Sequence, residues 1–389
     1  MLEPYVFNQD TDWDNRFGNG ARSVVETEDA YYFIIGQCDY LYCYDKLSGE
    51  YGFLCGKPEC NHDSESCNAR IKGGRSGVLN HVSGRLYFKA SDANRGPGVS
   101  MGNCYSVSLD GTDRRLEFEM PCGWENEPMV LYYHRGKFYG ASLVDFVVDA
   151  VPGKHIGITS WDAETGDYRL IFSRDGCDGY PMPRLFFFGK YVYFCFASAE
   201  VTETASFSTL EVYRWDTEAE KLETIFVSGR HEIPGEAFTF WVESENEIYI
   251  APTIPQTNET SPVYLLRDGE LSEVFRFDDP GALCLRDGIV IRNLLADDYR
   301  SFEMHLTDYE GNTIYRGTVT AASLSEAIPG IESISYYNNS CYGDRQTLYY
   351  CCSIKKTGSG KWTDCIIEFS FKEPGADPEA TVICIDISK

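Results

Sequence analysis

The chain has 389 residues, with 34 lysines and arginines against 60 aspartates and glutamates, and a formal net charge of −26 at pH 7. This acidic balance argues against nucleic acid, whose phosphates are recognised by clustered basic side chains, and against docking on an anionic bilayer. No apolar run approaches the 18 or so residues of a membrane span, so we expect no membrane insertion.

Residues 1–21 are predicted to form a lead-in segment before the first strand. Asp10, Asp12 and Asp14 fall in this segment, which lacks an apolar stretch, so we expect no signal peptide within it. The protein is expected to be either cytoplasmic or exported with a leader that preceded residue 1.

An aromatic or β-branched run recurs seven times along the chain, each time after a small turn. Alternation with period two indicates a β-strand in each run. The runs recur at a mean spacing of about 53 residues, a period typical of repeat architectures. Their central residues are Tyr32, Tyr87, Tyr139, Tyr193, Tyr249, Val290 and Tyr349.

A second marker, an acidic or glycine-containing turn between two apolar strands, follows the first in each unit. Aspartate bonds its own backbone and glycine tolerates positive φ, so both suit hairpin turns. Clear examples are Asp45, Asp110-Gly111, Asp162, Asp216, Asp268-Gly269 and Glu310-Gly311. The two markers together predict four antiparallel strands per unit. In the second unit, these strands are predicted at residues 78–82, 86–90, 104–109 and 115–120.

Four-stranded repeats of about 50 residues are typical of propeller blades. The sequence therefore predicts an all-β, seven-bladed β-propeller of four-stranded antiparallel blades, with six or eight blades as alternatives. One domain is predicted over residues 22–389. The best helix candidate is short, at residues 321–328, where Pro329-Gly330 would end it.

The topology also predicts a binding face. With the strands of each blade lettered a to d, the b–c loops and the d–a connections lie on one side and are the longer ones. We call this side the long-loop face, and loops on a rigid scaffold are where binding usually resides. Trp124, Tyr180 and Trp241 are predicted as exposed loop aromatics that stack on a ligand, although most aromatics here are expected to fill the blades.

The densest cluster of metal-ligand residues is Cys55, Cys60, His62 and Cys67, on the connection between the first two blades. Zn²⁺ takes four nitrogen and sulfur ligands in a tetrahedron, so these residues predict a structural zinc site without an open position. The spacing differs from that of common zinc fingers. One disulfide with a spare thiol, or three unpaired thiols, are the alternatives.

The segment around this cluster also carries a family resemblance. The aromatic strand at 31–35, the Tyr44-to-Gly49 turn and the Leu-Cys-x-Lys-Pro-x-Cys-x-His run from Leu54 to His62 resemble uncharacterised β-propeller lipoproteins of clostridial gut bacteria (Firmicutes), themselves loosely similar to TolB-type propellers. The blade pattern is similar along most of the chain, but only residues 31–67 are specific. The resemblance implies export and attachment to the cell surface, and it supplies no catalytic residues.

Two functions lead the interpretations of these observations, and a scaffold within a surface assembly is a third. The first is an extracellular, monomeric binding propeller that holds an unknown protein, peptide or glycan at its long-loop face. The alternative is a carbohydrate-active enzyme, a hydrolase or lyase, whose carboxylates would be assembled across blades at the channel mouth. His81, His134 and His231 are expected to be structural rather than catalytic.

Overall fold

The structure is a computed structural model that describes residues 6–17, 24–35, 40–64, 66–71, 78–91, 102–120, 128, 130–148, 151–175, 183–201, 206–229, 233–234, 237–254, 260–277, 282–294 and 301–386. Regular structure in these ranges is β-strand apart from one 3₁₀ turn at Asn15–Phe17. None of the described residues forms a helix that is long and apolar enough to cross a membrane.

The first three blades have four strands each. In chain order their strands are β1 (Val24–Glu26), β2 (Ala30–Ile35), β3 (Tyr40–Asp45), β4 (Tyr51–Phe53), β5 (Asn80–Val82), β6 (Arg85–Ser91), β7 (Gly102–Ser108), β8 (Arg114–Glu119), β9 (Val130–His134), β10 (Lys137–Val148), β11 (Val151–Asp162) and β12 (Tyr168–Asp175).

The remaining four blades continue the pattern, with one extra short strand in blade 4. Their strands are β13 (Leu185–Phe188), β14 (Tyr191–Val201), β15 (Ser206–Asp216), β16 (Lys221–Val227), β17 (Ile233–Pro234), β18 (Ala237–Ser244), β19 (Glu247–Ile254), β20 (Ser261–Arg267), β21 (Glu270–Phe277), β22 (Ala282–Leu285), β23 (Gly288–Leu294), β24 (Ser301–Thr307), β25 (Thr313–Thr320), β26 (Ile331–Gly343), β27 (Thr347–Lys356), β28 (Thr363–Ser370) and β29 (Glu379–Ile385).

Consecutive strands pair antiparallel in every blade, so each blade is a simple up-and-down sheet. The protein is a seven-bladed β-propeller of four-stranded antiparallel blades, which confirms the predicted fold class. The strands predicted for the second blade agree with β5 to β8 to within two residues. Blade 7 takes all four of its strands from the C-terminal part of the chain.

The chain divides into two compact units, Met1–Cys177 with Ile383–Lys389, and Asp178–Val382. In the first unit, Leu86 and Phe88 of β6 are fully buried in one cluster with Ile34 and Leu41 of blade 1. In the second unit, Phe186 of β13 packs edge-on against Trp241 of β18, with ring centroids 4.8 Å apart. Neighbouring blades within each unit therefore bury each other's apolar faces. The single domain over residues 22–389 stays a prediction.

The acidic turn marker has a local physical cause. Asp162 Oδ1 accepts hydrogen bonds from the backbone N–H groups of Glu164 and Thr165, each at 3.0 Å. Asp216 Oδ1 accepts in the same way from Glu218 and Ala219, at 2.9 and 2.8 Å. Each aspartate side chain thus closes the hairpin between strands c and d.

A β-bulge recurs in strand d, where it pairs with strand c and one residue of strand d is passed over. The register shifts between Cys104 and Tyr105 in blade 2, between Ile158 and Thr159 in blade 3, and again in blades 4, 5 and 6. A bulge bends a strand and increases its twist, which the repeat spacing alone does not reveal.

The predicted helix at residues 321–328 is wrong, because these residues form successive turns. The side chains of Thr320 and Ser323 bond each other's backbone N–H groups, each at 2.9 Å. These reciprocal bonds have the form of a capping box, which belongs to a helix start, but a segment this short does not offset the cost of helix nucleation.

The turn aspartates predict an acid sensitivity. Hydrogen bonds from the Ser108 hydroxyl and Thr112 lower the pKa of Asp110 to about 2, and backbone N–H groups of the Asp162 turn lower the pKa of Asp162. A folded-state pKa below the unfolded value of about 3.9 gives stability that is present above that value and lost as pH falls through the folded pKa. We expect the urea midpoint to decline between about pH 4 and pH 2.

The double change Asp162→Asn with Asp216→Asn should make this decline shallower, because asparagine keeps the acceptor oxygen but does not titrate. The control Asp167→Asn removes a carboxylate from the Asp162 turn but keeps the hydrogen bonds that Asp162 accepts. In this variant the urea midpoint should still decline as the pH falls. If the urea midpoint fell equally steeply with pH in both variants, the acid sensitivity could not be assigned to Asp162 and Asp216.

Candidate functional site

The connection from β4 to β5 is held against the edge of blade 1. Leu54 N–H donates to Leu41 O at 2.9 Å, and Leu41 N–H donates to Ala69 O at 2.7 Å. Tyr40 also forms a bridge with Arg70. Both arms of the connection therefore run beside the start of β3, which brings residues 55 and 67 together.

Between these arms, the four residues predicted as metal ligands converge. One ligand atom from each of Cys55, Cys60, His62 and Cys67 lies within 4.8 Å of all the others, and His62 Nδ1 is 3.3 Å from Cys67 Sγ. Zinc with Zn–S near 2.3 Å and Zn–N near 2.1 Å places its ligand atoms roughly 3.5 Å apart. The cluster is thus close to the size of a tetrahedral site.

The pKa values of two of the thiols, Cys55 and Cys67, are shifted in opposite directions. Burial raises the pKa of Cys55, but hydrogen bonds from the backbone N–H groups of Lys57 and Asn68 and from the two neighbouring thiols outweigh it, so the pKa lies below the usual value. Burial, with a smaller contribution from Cys60 and Cys55, raises the pKa of Cys67 to about 12. A second and third thiolate in this space require a cation to balance them.

Two glycines allow the connection to pack against blade 2. Gly56 N–H donates to Gly111 O at 3.0 Å, and Asn68 Nδ2 donates to the same oxygen at 2.8 Å. Gly111 has a φ of +71°, and a Cβ there would lie 2.9 Å from the Cys55 nitrogen. The β7–β8 turn of blade 2 thus forms one wall of the cluster.

Other contacts position the histidine and supply a positive charge. The Tyr40 hydroxyl donates to His62 O at 2.8 Å, and the rings of Phe53 and His62 lie 4.7 Å apart. Arg114, stacked 5.0 Å from the Tyr105 ring, interacts electrostatically with Cys67. A guanidinium near Cys67 lowers the cost of ionising that thiol.

The structure brings all four predicted ligands together, and the thiols of Cys55, Cys60 and Cys67 are free. Of the predicted ligand-stacking residues, Trp124 and Tyr180 lie outside the described residues. The expectation that Trp241 is on an exposed loop is wrong: it lies within β18 and is 7% exposed, because strand a packs it against Phe186. Its part in ligand binding stays a prediction.

The sequence reasoning missed a histidine–carboxylate pair on blade 3. His155 Nδ1 lies 2.7 Å from Asp175 Oδ1, with the two residues directly opposite on β11 and β12, at the long-loop end of the blade. An imidazole oriented by a carboxylate is a common element of acid–base sites. Predicting this pair from the sequence would have required the register of β11 against β12, including the bulge at Ile171 of β12.

The three histidines expected to be structural have different surroundings. His134 is fully buried and accepts a hydrogen bond from Trp13 N–H at its Nδ1, at 3.2 Å, as a structural histidine would. His81 lies on β5 beside a cavity, and His231 lies outside the described residues.

Comparisons with known proteins give a likeness of fold. No protein-family model matches the sequence, and no curated protein matches it. Among solved structures, the chain is similar to a Pyrococcus horikoshii acylaminoacyl peptidase, with 11% identity, a TM-score of 0.40, and coverage of 79% of this chain and 51% of that one.

Two further solved structures show the same likeness. A prolyl oligopeptidase B from Galerina marginata matches at 10% identity and a TM-score of 0.48, over 96% of this chain and 52% of that one. A Pseudomonas aeruginosa periplasmic gluconolactonase matches at 11% identity and a TM-score of 0.40, over 95% and 98%. The chain spans about half the length of both peptidases, and at these identities only the fold is shared. The resemblance to clostridial lipoproteins stays a prediction.

The close approach of Gly111 predicts an unequal response of two glycines in blade 2. Gly84 has a similar φ of +75°, but a Cβ there would meet nothing within 4 Å. We expect Gly84→Ala to lower the free energy of unfolding by about 1 kcal/mol through backbone strain alone. Gly111→Ala should lower it by about 1–3 kcal/mol more, because the methyl group overpacks the cluster.

Urea unfolding of the two variants measures this difference. Equal losses of stability would show that the β7–β8 turn does not hold the Cys55 backbone in place.

Proposed function

We propose that this chain is an extracellular binding propeller, whose long-loop face holds a protein, peptide or glycan partner and whose Cys/His cluster holds a structural zinc ion. The observation that carries the binding proposal is the length of two b–c hairpins. Several of the long loops, including residues 92–101, 176–182 and 295–300, lie outside the described residues, so these hairpins supply the described part of the face.

The hairpin of blade 3 extends well past its neighbours. β10 and β11 pair along their whole length, from Lys137 opposite Asp162 to Val148 opposite Val151. The outer strands are shorter: β9 pairs with residues 137–141 of β10, and β12 pairs with residues 155–161 of β11. Among the described residues, 145–148 and 151–154 therefore pair only with each other and form a ribbon two strands wide. An isolated two-stranded ribbon is at best marginally stable in water, and the tip sequence includes Phe146, Val147 and Val148. Both features are typical of a segment that contacts another molecule.

The hairpin of blade 4 extends in a similar way. β14 and β15 pair up to Val201–Ser206, whereas β13 pairs only with residues 191–194. Here β17 adds two further pairs, Phe207–Pro234 and Ser208–Ile233. In the part of the chain that the structure describes, a further strand supports the ribbon of blade 4 and none supports that of blade 3. Blade 3 is therefore the better place to test binding.

Zinc is the metal that suits the cluster. Three thiols and one imidazole form a donor set that zinc takes in closed structural sites. Four protein ligands leave no position for a substrate, so the ion would fix the connection between blades 1 and 2 rather than catalyse a reaction. Location outside the cell is proposed from the lipoprotein resemblance alone.

A carbohydrate-active enzyme remains the second candidate, and the His155–Asp175 pair favours it. The pair lies at the long-loop end of blade 3, where a bound glycan would reach it. Turnover of a glycan that depends on His155 would support this candidate over simple binding.

Metal analysis tests the zinc proposal. Protein purified without a histidine tag should carry about one zinc per chain, and Cys55→Ser should lose most of it, because a three-ligand remainder binds zinc far more weakly. Cys43→Ser, which removes a free thiol from β3 outside the cluster, should keep the metal. Less than about 0.3 zinc per wild-type chain, with Cys55 open to alkylation, would contradict the proposal.

A ribbon deletion tests the binding face. Asp145 and Lys154 are directly opposite, so residues 146–153 can be replaced by Asn-Gly, which suits a two-residue hairpin. On immobilised glycan and peptide panels we expect the wild-type protein to bind at least one member, and the deletion to weaken binding by roughly tenfold or more through loss of the contact.

Glu164→Lys, in the c–d turn on the other side of blade 3, serves as the control and should bind normally. Circular dichroism and urea unfolding would verify that the deletion variant folds. A folded deletion variant that binds like the wild type would contradict the assignment of the face.

A further inference from the structure

A cavity of about 310 Å³ lies between the N-terminal segment, residues 6–17, and the first strands of blades 1 to 3. Its wall includes Trp13 from the segment, Glu26 of β1, His81 of β5 and Tyr133 of β9. Residues 27 and 28 of the first a–b turn also line it, so it lies at the opposite end of these blades from the long-loop face. Ligand pockets begin at about this volume.

The N-terminal wall of this cavity is fixed by specific bonds. Arg135 Nε donates to Asp12 Oδ1 at 2.8 Å, and the Asp12 side chain is fully buried. Arg135 N–H donates to Thr11 O at 2.6 Å, and Gln9 Nε2 donates to Glu26 O at 2.9 Å. The segment is therefore tied to blades 1 and 3 at several points, so the cavity is built into the fold.

Two side chains on the wall have unmet hydrogen-bonding groups. Trp13 is 6% exposed, and among the described residues neither its Nε1 nor either ring nitrogen of His81 has a hydrogen-bond partner. Burial lowers the pKa of His81, against a smaller opposing effect of Asp10, so the imidazole is neutral at pH 7. A neutral imidazole has one donor and one acceptor. The wall thus holds two N–H donors and one acceptor that have no partner among the described residues and are covered in the present arrangement.

The cavity lining carries more carboxylates than cations, and both of its cations are already in ion pairs. Asp14 and Glu26 carry the ion pairs with Arg16, at 2.7 and 3.5 Å, and Glu26 also pairs with Lys46 at 2.9 Å. Asp12 and Glu28 add two further carboxylates to the lining. An anion entering the cavity would meet an excess of negative charge, and the cations that could receive it are engaged.

These constraints select a class of ligand. An anion supplies acceptors only and is repelled, whereas an ammonium group supplies donors only and leaves both N–H groups unmet. A hydroxyl group donates and accepts, and the apolar face of a sugar ring packs well on aromatic side chains such as Trp13 and Tyr133. We infer that the cavity is a second binding site, separate from the long-loop face, and takes a neutral sugar of one or two rings.

Binding would involve a small movement of the N-terminal segment. The unmet nitrogens of Trp13 and His81 are covered in the present arrangement, so the segment adjusts around the sugar as the hydrogen bonds form. Side-chain and short-segment adjustments of this kind are common on binding. Hydrogen exchange should therefore slow in residues 6–17 when the ligand is present.

The test uses isothermal titration with neutral mono- and disaccharides, and with an amino sugar and a sugar phosphate as charged probes. We expect at least one neutral sugar to bind, and Trp13→Phe, which keeps an aromatic ring but removes the N–H, to weaken it by roughly tenfold. Trp362→Phe changes a tryptophan that is 45% exposed and should leave affinity unchanged.

His81→Phe provides a second variant in case Trp13→Phe fails to fold, and it should weaken binding similarly. The deletion of residues 146–153 should leave this affinity intact, which separates the cavity from the long-loop face. Absence of binding by every neutral sugar, preference for a charged probe, or wild-type affinity in folded Trp13→Phe or His81→Phe would overturn the inference.

Discussion

The constraint on which this structure depends is that a four-stranded blade cannot bury both of its faces alone. Repeat proteins solve this by stacking each unit on its neighbours, and here blade 2 contributes Leu86 and Phe88 to a cluster shared with Ile34 and Leu41 of blade 1. In the second unit, Phe186 and Trp241 play the corresponding part between blades 4 and 5. Burial between neighbouring blades therefore helps to hold the repeats together within each unit.

The Cys/His cluster strengthens one of these joints. Cys67 is a proposed metal ligand and is also a member of the core cluster shared by blades 1 and 2, where it is 1% exposed. Cys55 and Cys60 pack against the same core, and Gly56 reaches the turn of blade 2 at Gly111. A zinc ion bound here would therefore stabilise the interface between two blades, since metal binding to a site absent from the unfolded chain contributes directly to folding free energy.

Features encoded locally could be predicted from the sequence. The blade period followed from aromatic strands and aspartate turns, and the cluster of Cys55, Cys60, His62 and Cys67 spans only thirteen residues. Features that depend on long-range packing could not. Asp12 meets Arg135 across 123 positions of sequence, His155 meets Asp175 through strand register, and Trp241 is buried because a neighbouring blade covers it. The helix predicted at residues 321–328 was wrong because Pro329-Gly330 marks where a helix would end, but not whether so short a segment is stable as a helix.

Substitution of Co²⁺ for the native metal tests the central claim, a closed tetrahedral Cys/His site between two blades, most directly. Cobalt bound to three thiolates and one imidazole should give intense visible bands of tetrahedral geometry together with thiolate-to-cobalt charge transfer. Addition of Zn²⁺ should abolish both, since zinc binds such sites more tightly than cobalt. Weak bands of six-coordinate cobalt, or a spectrum unchanged by Cys55→Ser and Cys67→Ser, would contradict the proposed site.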